Sequence, residues 1–363
     1  MKDELENVFE ELATGGEENV SDIEQTKVVE DYNEDVDSED SIDNKFDPKA
    51  KVKKIADSAI KNGGLAIDKT KSALTTAQKA TLNALDQDGN GQIDSVDIIL
   101  LALKVPGVKI DRAKFLEREL YKYYPKEVIN EAIESNPASA GVKKEDVDKI
   151  ADEIIKFERN AVSGISVALG VPGGVAMAAT IPADIAQYYG YMLRCAQKLL
   201  YLYGFPQIDT SEEALRLDTE TVNYLTICLG IMYGVANANN AIKAMAKALA
   251  TGVEKKLLNT ALTKGTIYPI VKSVAKWFGV KMTKSVFAGF FKKAIPVVGG
   301  VVGGGLTFAT FKPCCYRLKD ALQDTMLSNP NHNECKEEKE IFDGIKNGVI
   351  DVAPEEIIEI DNE

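Results

Sequence analysis

Three long stretches of this chain contain no charged side chain, and they limit the folds that the chain can adopt. They cover residues 160–183, 221–242 and 294–311. Uncharged segments of 18 to 24 residues have to be buried, either in a tight helical bundle or in a membrane. The charged segments between them carry apolar residues at helical spacing. We therefore predict an all-α protein.

The breaks in this spacing predict where helices begin and end. A charged helix is expected at 143–160, a longer one at 184–205 and a final one near 313–327. Residues 111–136 read as two helices, because Pro125 disfavours a helical conformation at the residue before it.

Charge is segregated along the chain, so the formal net charge of −13 is misleading. Residues 1–45 carry 17 acidic side chains and three lysines, and residues 334–363 carry 11 acidic side chains and three lysines. The body between them is basic. Because acidic segments poor in apolar residues rarely fold alone, we predict disordered acidic termini.

Histidine and cysteine usage argues against several enzyme classes. The only histidine is His332, which leaves little room for histidine-based triads or histidine-rich metal sites. The five cysteines form no C-x-x-C pair, and their odd number argues against a disulfide framework. No apolar stretch follows Met1, so we expect no signal peptide and a cytoplasmic location.

The segment 86–97, which reads DQDGNGQIDSVD, fits the twelve-residue EF-hand template. A helix predicted at about 69–85 precedes it. Gly91 occupies the sixth position, where the chain must turn with a positive φ. The template expects side-chain oxygens at positions 1, 3, 5 and 12, a backbone carbonyl at 7 and a water-mediated carboxylate at 9. The predicted metal ligands are therefore Asp86, Asp88, Asn90, Gln92, Asp94 and Asp97. Oxygen ligands of this kind suit Ca²⁺, with Mg²⁺ as the alternative ion.

Position 12 departs from the usual pattern, because Asp97 replaces glutamate. Aspartate is one methylene shorter, so the following helix must lie closer for bidentate ligation. This form resembles dockerin-type loops, and we expect weaker Ca²⁺ binding or a shift towards Mg²⁺. Only one such loop is found, although EF-hands usually work in pairs. The alternative interpretation is a Gly/Asn/Asp turn between two helices.

Two further segments resemble the EcsC family of bacterial proteins. Residues 169–206 run from a Gly/Pro-rich apolar stretch through the step PADI into a long amphipathic helix, and residues 294–322 begin with the step IPVVGG. The resemblance covers about residues 140–328. It implies a hydrophobic, often membrane-associated helical domain without an established biochemical activity. No catalytic residues come with it.

The relation of the apolar runs to a membrane stays open at this point. Spanning is favoured by the G-x-x-x-G spacing of Gly299 and Gly303. The segment 243–293, with 11 lysines and one acid, suits an anionic lipid surface. Against spanning, Pro172 splits the first run and the mean hydropathy is only −0.14. Three interpretations therefore stay open: helices that span a membrane, peripheral association with a membrane, and a soluble helical bundle. Because the tails are acidic, no nucleic acid is expected as a partner.

Candidate catalytic residues are weak. Ser166 lies in GISVA, which half-resembles a nucleophile elbow but lacks the final glycine and a histidine partner. Cys314 and Cys315 follow Lys312, which could lower a thiol pKa, although buried inert thiols are the simpler interpretation. Asp184 is the most suggestive carboxylate, and its simpler role is to stabilise a helix N-terminus. The sequence therefore favours a non-enzymatic protein.

The predicted organisation follows from these observations. We expect a disordered acidic tail at 1–45, a helical module with the loop at 46–137, an EcsC-like helical domain at 138–328 and an acidic C-terminal tail at 329–363. We expect a calcium-binding protein at the cytoplasmic membrane face, with anionic lipids or other proteins as partners. The alternative is a soluble protein-interaction module whose calcium site is purely structural.

Overall fold

The computed structural model describes residues 82–169, 181–211, 219–293, 299–329 and 331–350. Within these ranges the ordered elements are helices, and the one β-type contact is an isolated antiparallel bridge between Gly265 and Ile350. The predicted all-α fold is therefore confirmed. The helices are α1 (Ser95–Leu103), α2 (Arg112–Leu120), α3 (Lys126–Glu134), α4 (Lys144–Leu169), α5 (Ile181–Leu202), α6 (Glu220–Met232), α7 (Ala238–Ala250), α8 (Lys255–Thr263), α9 (Tyr268–Lys293), α10 (Gly299–Gln323) and α11 (Lys336–Asn347).

Local sequence accounts for the starts of several helices. The side chain of Asp111 caps α2 by accepting a hydrogen bond from the Lys114 amide at 3.0 Å. Helix α3 follows Pro125, as the break in the spacing predicts. Thr219 caps α6 in the same way as Asp111 caps α2. These caps satisfy amide groups that the first turn of a helix leaves without partners.

The centre of the structure is a three-helix arrangement of α4, α5 and α10. Helices α4 and α10 run antiparallel: Asp152 pairs with Lys319 at 2.5 Å, and Asp148, one turn earlier in α4, hydrogen-bonds to Gln323, one turn later in α10. Helix α5 packs against both of them and against α1. Helix α6 joins α1, α9 and α10 on the other side. The loop at 86–97 is thus tied through α1 to the centre of the structure.

A buried ion cluster links α4 to α5. The Glu158 side chain is fully buried, and its Oε1 lies 2.5 Å from Lys198 Nζ and 3.3 Å from Arg194 Nη2. A charge so far from water is tolerated only when it is paired. Glu158 therefore depends on the two cations of α5.

Residues on either side of the predicted boundary at 137/138 contribute to one hydrophobic core. Ile99 and Leu116 belong to the same buried cluster as Leu199 and Leu318. The division of the chain at this point stays a prediction about the sequence.

The structure corrects the prediction of a disordered C-terminal tail for residues 331–350. Helix α11 lies within this segment and packs against α7 and α8. Phe342 and Ile345 are buried and lie three residues apart, which puts them on one face of the helix. The prediction of disorder relied on the acidic composition of the segment and overlooked these apolar residues on one helix face. Residues 351–363 lie outside the described residues.

Other predicted elements differ in their bounds. Helix α4 continues to Leu169 instead of ending at 160, and α10 begins at Gly299 and contains Pro313. Buried contacts of Phe311, Cys314 and Cys315 hold α10 together around the proline, so the proline does not mark a helix start. The predicted N-terminal tail and most of the helix at 69–85 lie outside the described residues. None of the described helices combines the length and apolar character needed to cross a bilayer.

Candidate metal centre

The loop at 86–97 is held between a helical segment, 82–85, and α1. Leu85 anchors the entering segment, because its side chain is fully buried. Asp94 caps α1, and its Oδ1 accepts a hydrogen bond from the Val96 amide at 2.7 Å. Asp97 completes a capping box, because its Oδ2 accepts from the Asp94 amide at 2.9 Å. Both ends of the loop are therefore fixed.

Two glycines let the loop fold back over its first aspartate. Gly89 and Gly91 have φ of 74° and 78°, in the left-handed region that residues with a Cβ avoid. Asp86 Oδ1 accepts a hydrogen bond from the Gly89 amide at 2.8 Å, and its Oδ2 accepts from the Gly91 amide at 2.9 Å. The chain therefore wraps around Asp86, as the template position predicts.

Three carboxylates converge inside the loop. One oxygen each from Asp86, Asp88 and Asp97 lie within 4.8 Å of one another. Calcium ligands lie at about 2.3–2.6 Å from the ion, so oxygens on opposite sides of one ion are about 5 Å apart. The spacing of these three oxygens fits a common hard cation. In the part of the chain that the structure describes, no other acidic, histidine or cysteine side chains come together in such a group.

The other predicted ligands are placed differently. Asn90 Oδ1 accepts from the Gln92 amide at 2.7 Å, and Asn90 Nδ2 donates to Asp88 Oδ2 at 2.7 Å. Gln92 is exposed, and its predicted contribution is the backbone carbonyl. Asp94 is turned towards the α1 amides and is not among the three converging carboxylates. This orientation is compatible with a role through water at position 9.

Burial makes two of these carboxylates reluctant to ionise. It raises the pKa of Asp97 to about 6 against the lowering effect of the Asp94 and Gln87 amides, and the charges of Asp88 and Asp94 raise it further. Burial likewise raises the pKa of Asp94. Among the described residues, no lysine, arginine or histidine forms an ion pair with the four loop aspartates.

The loop packs against helix α9, in the place where the second loop of an EF-hand pair would be expected. Ile93, at position 8, is buried, and its carbonyl oxygen would lie 3.3 Å from a Cβ added at Gly279 of α9. Ser95 Oγ lies 3.4 Å from Thr226 Oγ1 of α6. Gly279 carries no sequence signal for this role, because only its place in the fold brings it to the loop.

A lysine behind the loop was not predicted from the sequence. Lys104 Nζ donates to Gln87 Oε1 at 2.5 Å. This hydrogen bond links the end of α1 to the second residue of the loop. The Gln87 amide in turn donates to Asp97 Oδ1 at 2.6 Å. Asp97 is therefore held from the first half of the loop as well as from α1.

The weaker catalytic candidates gain no support. The side chains of Ser166 and Asp184 lie outside the described ones, although Asp184 belongs to the first turn of α5. Cys314 is buried, and burial raises its thiol pKa to about 11 despite the charge of Arg317. Burial also raises the thiol pKa of Cys315. Both thiols are therefore protonated at neutral pH and unreactive.

Comparisons with known proteins return no relative. No protein-family model, no curated protein and no solved structure matches this chain.

Proposed function

We propose that this chain is a non-enzymatic, calcium-binding protein and that residues 86–97 form its metal site. The observation that supports the proposal most strongly is the convergence of three carboxylates that no described cation neutralises. A bound Ca²⁺ would remove their mutual repulsion. Mg²⁺ is the alternative ion, because Asp97 is shorter than the usual glutamate.

The ion would be held by the side chains of Asp86, Asp88 and Asp97. The template adds the side-chain oxygen of Asn90 and the carbonyl of Gln92, and it places Asp94 behind a water. The chemistry supplied is charge compensation. It would tie the helical segment at 82–85 to α1 and so couple the ion to the stability of the central packing.

We further propose that the protein associates with anionic lipid at the cytoplasmic membrane face through α9. This helix packs on the loop at Gly279, and the charge of Lys272 favours the ionised form of Asp94. Lys272 and Lys276 are exposed on α9. Calcium would cancel half of the loop's four negative charges and leave the neighbouring surface more basic. The resemblance to the EcsC family points in the same direction.

A soluble interaction module with a structural calcium site is the second candidate. Seven of the nine residues of α1 are buried, including Asp97 itself. A helix packed in this way has little freedom to change its angle when calcium binds. On this proposal, calcium stabilises the fold without altering the exposed surface.

Liposome flotation of the full-length chain separates the two candidates. The protein is mixed with anionic vesicles in calcium or in chelator, beside Asp86→Ala and the control Asp111→Ala. The control removes a carboxylate that lies outside the loop and caps α2. A double substitution, Lys272→Gln with Lys276→Gln, tests the proposed lipid face, and zwitterionic vesicles test the role of lipid charge.

The three possible outcomes have different consequences for the two candidates. Flotation only in calcium, lost in Asp86→Ala and in the double lysine variant but kept in Asp111→Ala, supports calcium-dependent membrane association. Flotation in both conditions keeps the membrane role and makes calcium structural. Absence of flotation in either condition rejects membrane association and leaves the soluble module.

A further inference from the structure

The only histidine of the chain is held between two carboxylates. His332 lies between α10 and α11, and its side chain is 1% exposed. Its Nδ1 is 3.0 Å from Asp324 Oδ1, and its Nε2 is 2.8 Å from Glu338 Oε2. The Glu338 side chain, on the first turn of α11, is also 1% exposed. The imidazole therefore bridges the end of α10 to the start of α11.

This arrangement needs the doubly protonated ring. A neutral imidazole carries one N–H and can donate to one acceptor, whereas the imidazolium donates from both nitrogens. With both ring nitrogens facing carboxylate oxygens, a neutral His332 would lose one of its two hydrogen bonds. It would also lose the positive charge that balances the buried Glu338, which forms no other ion pair with a described residue.

The other charged groups around the bridge are paired with one another. Lys243 of α7 lies 2.6 Å from Asp324 Oδ2, and Lys247 of α7 lies 2.5 Å from Glu334 Oε1. The lysines of α8, which also packs against α11, form no ion pair with Asp324 or Glu338. His332 is therefore the cation on which Glu338 depends.

Helix α11 covers a basic face of α7. Lys247 Nζ lies 4.1 Å from the ring centroid of Phe342, and Cys335 Sγ lies 3.7 Å from Asn240 Oδ1. Lys247 is only 16% exposed while α11 is in place. Movement of α11 away from α7 would expose Lys247 and the apolar side chain of Phe342.

We propose that His332 is a pH-sensitive latch: its protonated ring holds α11 against α7, and loss of the proton releases the helix. The pKa of His332 is consistent with this role. Burial lowers the pKa, but the hydrogen bonds and charges of Asp324 and Glu338 outweigh burial and raise it above the ordinary value. The latch is a property of the fold and does not depend on calcium.

Two measurements on the full-length chain test the latch. The single histidine gives one set of imidazole NMR signals, so its pKa and protonation can be followed directly over a pH titration. Hydrogen exchange of the α11 amides, corrected for the pH dependence of intrinsic exchange, reports the opening of the helix. We expect protection of α11 to fall about tenfold for each pH unit between the ordinary pKa of histidine, about 6.5, and its raised value in the docked state.

Two variants and one control make the test specific. His332→Gln removes the titrating ring, and Glu338→Gln removes the buried carboxylate should the first variant fail to fold. We expect the pH dependence of α11 exchange to disappear in His332→Gln and to weaken in Glu338→Gln, where Asp324 still pairs with the titrating ring. Glu340→Gln is the control, because Glu340 lies on the same helix but its side chain is 65% exposed. The α11 amides of this variant should exchange as they do in the unmodified chain. A His332 pKa at or below about 6.5, or α11 protection that does not change with pH, would overturn the proposal.

Discussion

The loop at 86–97 and the region around α11 are both acidic, but the protein compensates their charges differently. The loop aspartates accept hydrogen bonds from backbone amides, and no described basic side chain pairs with them. The acids around α11 have cations beside them. Lys243 and Lys247 pair with Asp324 and Glu334, and His332 pairs with Glu338. We infer that the loop needs an external cation and that the region around α11 does not.

This difference shows why a count of acidic residues predicts little about metal binding. The C-terminal segment contains more carboxylates than the loop, but the described ones that are buried or half-buried are neutralised by the chain itself. Backbone amides supply partial charges only, so they orient the loop carboxylates without cancelling their charge. We infer that the loop depends on calcium and that the α11 region depends on pH.

The largest loss of stability is expected when a fully buried carboxylate that pairs with basic side chains is removed. Glu158→Ala leaves the buried Lys198 and the half-buried Arg194 without their negative partner, and we expect the free energy of unfolding to fall by about 3–5 kcal/mol. Urea denaturation measures this change. Glu153→Ala is the matched control, because Glu153 lies on the same helix and is exposed. Equal stability of the two variants would show that internal compensation matters less than we infer.

The second-largest expected change in stability concerns the proposed binding of calcium by the loop at 86–97. Calcium at about 100 times its dissociation constant should stabilise the native state by about 2.7 kcal/mol and raise the midpoint of thermal unfolding by about 5–10 °C. Asp86→Ala should lose this increase, because it removes one of the three converging carboxylates. Asp111→Ala should keep it. Thermal melts in calcium and in chelator measure both, and a calcium response retained by Asp86→Ala would contradict the assignment.

The third effect is pH-dependent and belongs to the α11 region. Because the pKa of folded His332 is raised, its stabilising contribution is complete below about pH 6.5 and is lost as the pH rises through the raised value. His332→Gln should therefore destabilise the protein at about pH 5.5, by about 1.5 kcal/mol, and have little effect at about pH 9. Urea denaturation at both pH values measures the difference. A larger effect at the higher pH would contradict the sign.

The smallest effect separates backbone strain from metal binding. Gly91→Ala and Gly141→Ala both place a Cβ at a φ near 80°, with no neighbouring atom within 4 Å. Each should cost about 1 kcal/mol of stability. Only Gly91→Ala should also weaken calcium binding, by up to about fivefold, because the loop relaxes when no ion holds it. Loss of calcium affinity in Gly141→Ala would show that affinity merely follows global stability.

Local patterns predict several helix boundaries well, and the conformation of the segment 86–97 also depends on local sequence. The turns of 86–97 depend on glycines and aspartates within twelve residues, and Pro125 marks a helix boundary through its own backbone preference. These features need no information from distant parts of the chain. The structure accordingly places Asp86, Asp88 and Asp97 together as the template predicts.

Features that depend on the tertiary fold were missed. The acidic composition of 334–363 predicted disorder, whereas Phe342 and Ile345 pack against helices far earlier in the chain. The sequence assigned no partner to His332, because Asp324 and Glu338 lie six to eight residues away and only the fold turns both towards the ring. The contact of Gly279 with the loop likewise depends on the fold and carries no signal in the local sequence.

Isothermal titration calorimetry of the full-length chain with calcium, after removal of metal by a chelator, tests the central claim most directly. We predict one binding event per chain that disappears in Asp86→Ala and persists in Asp111→Ala, with Mg²⁺ as a competing ion. The absence of a binding heat at several temperatures, together with an unchanged melting midpoint in calcium, would contradict it and make the loop a helix-connecting turn. A binding event that survives in Asp86→Ala would place the calcium site elsewhere in the chain.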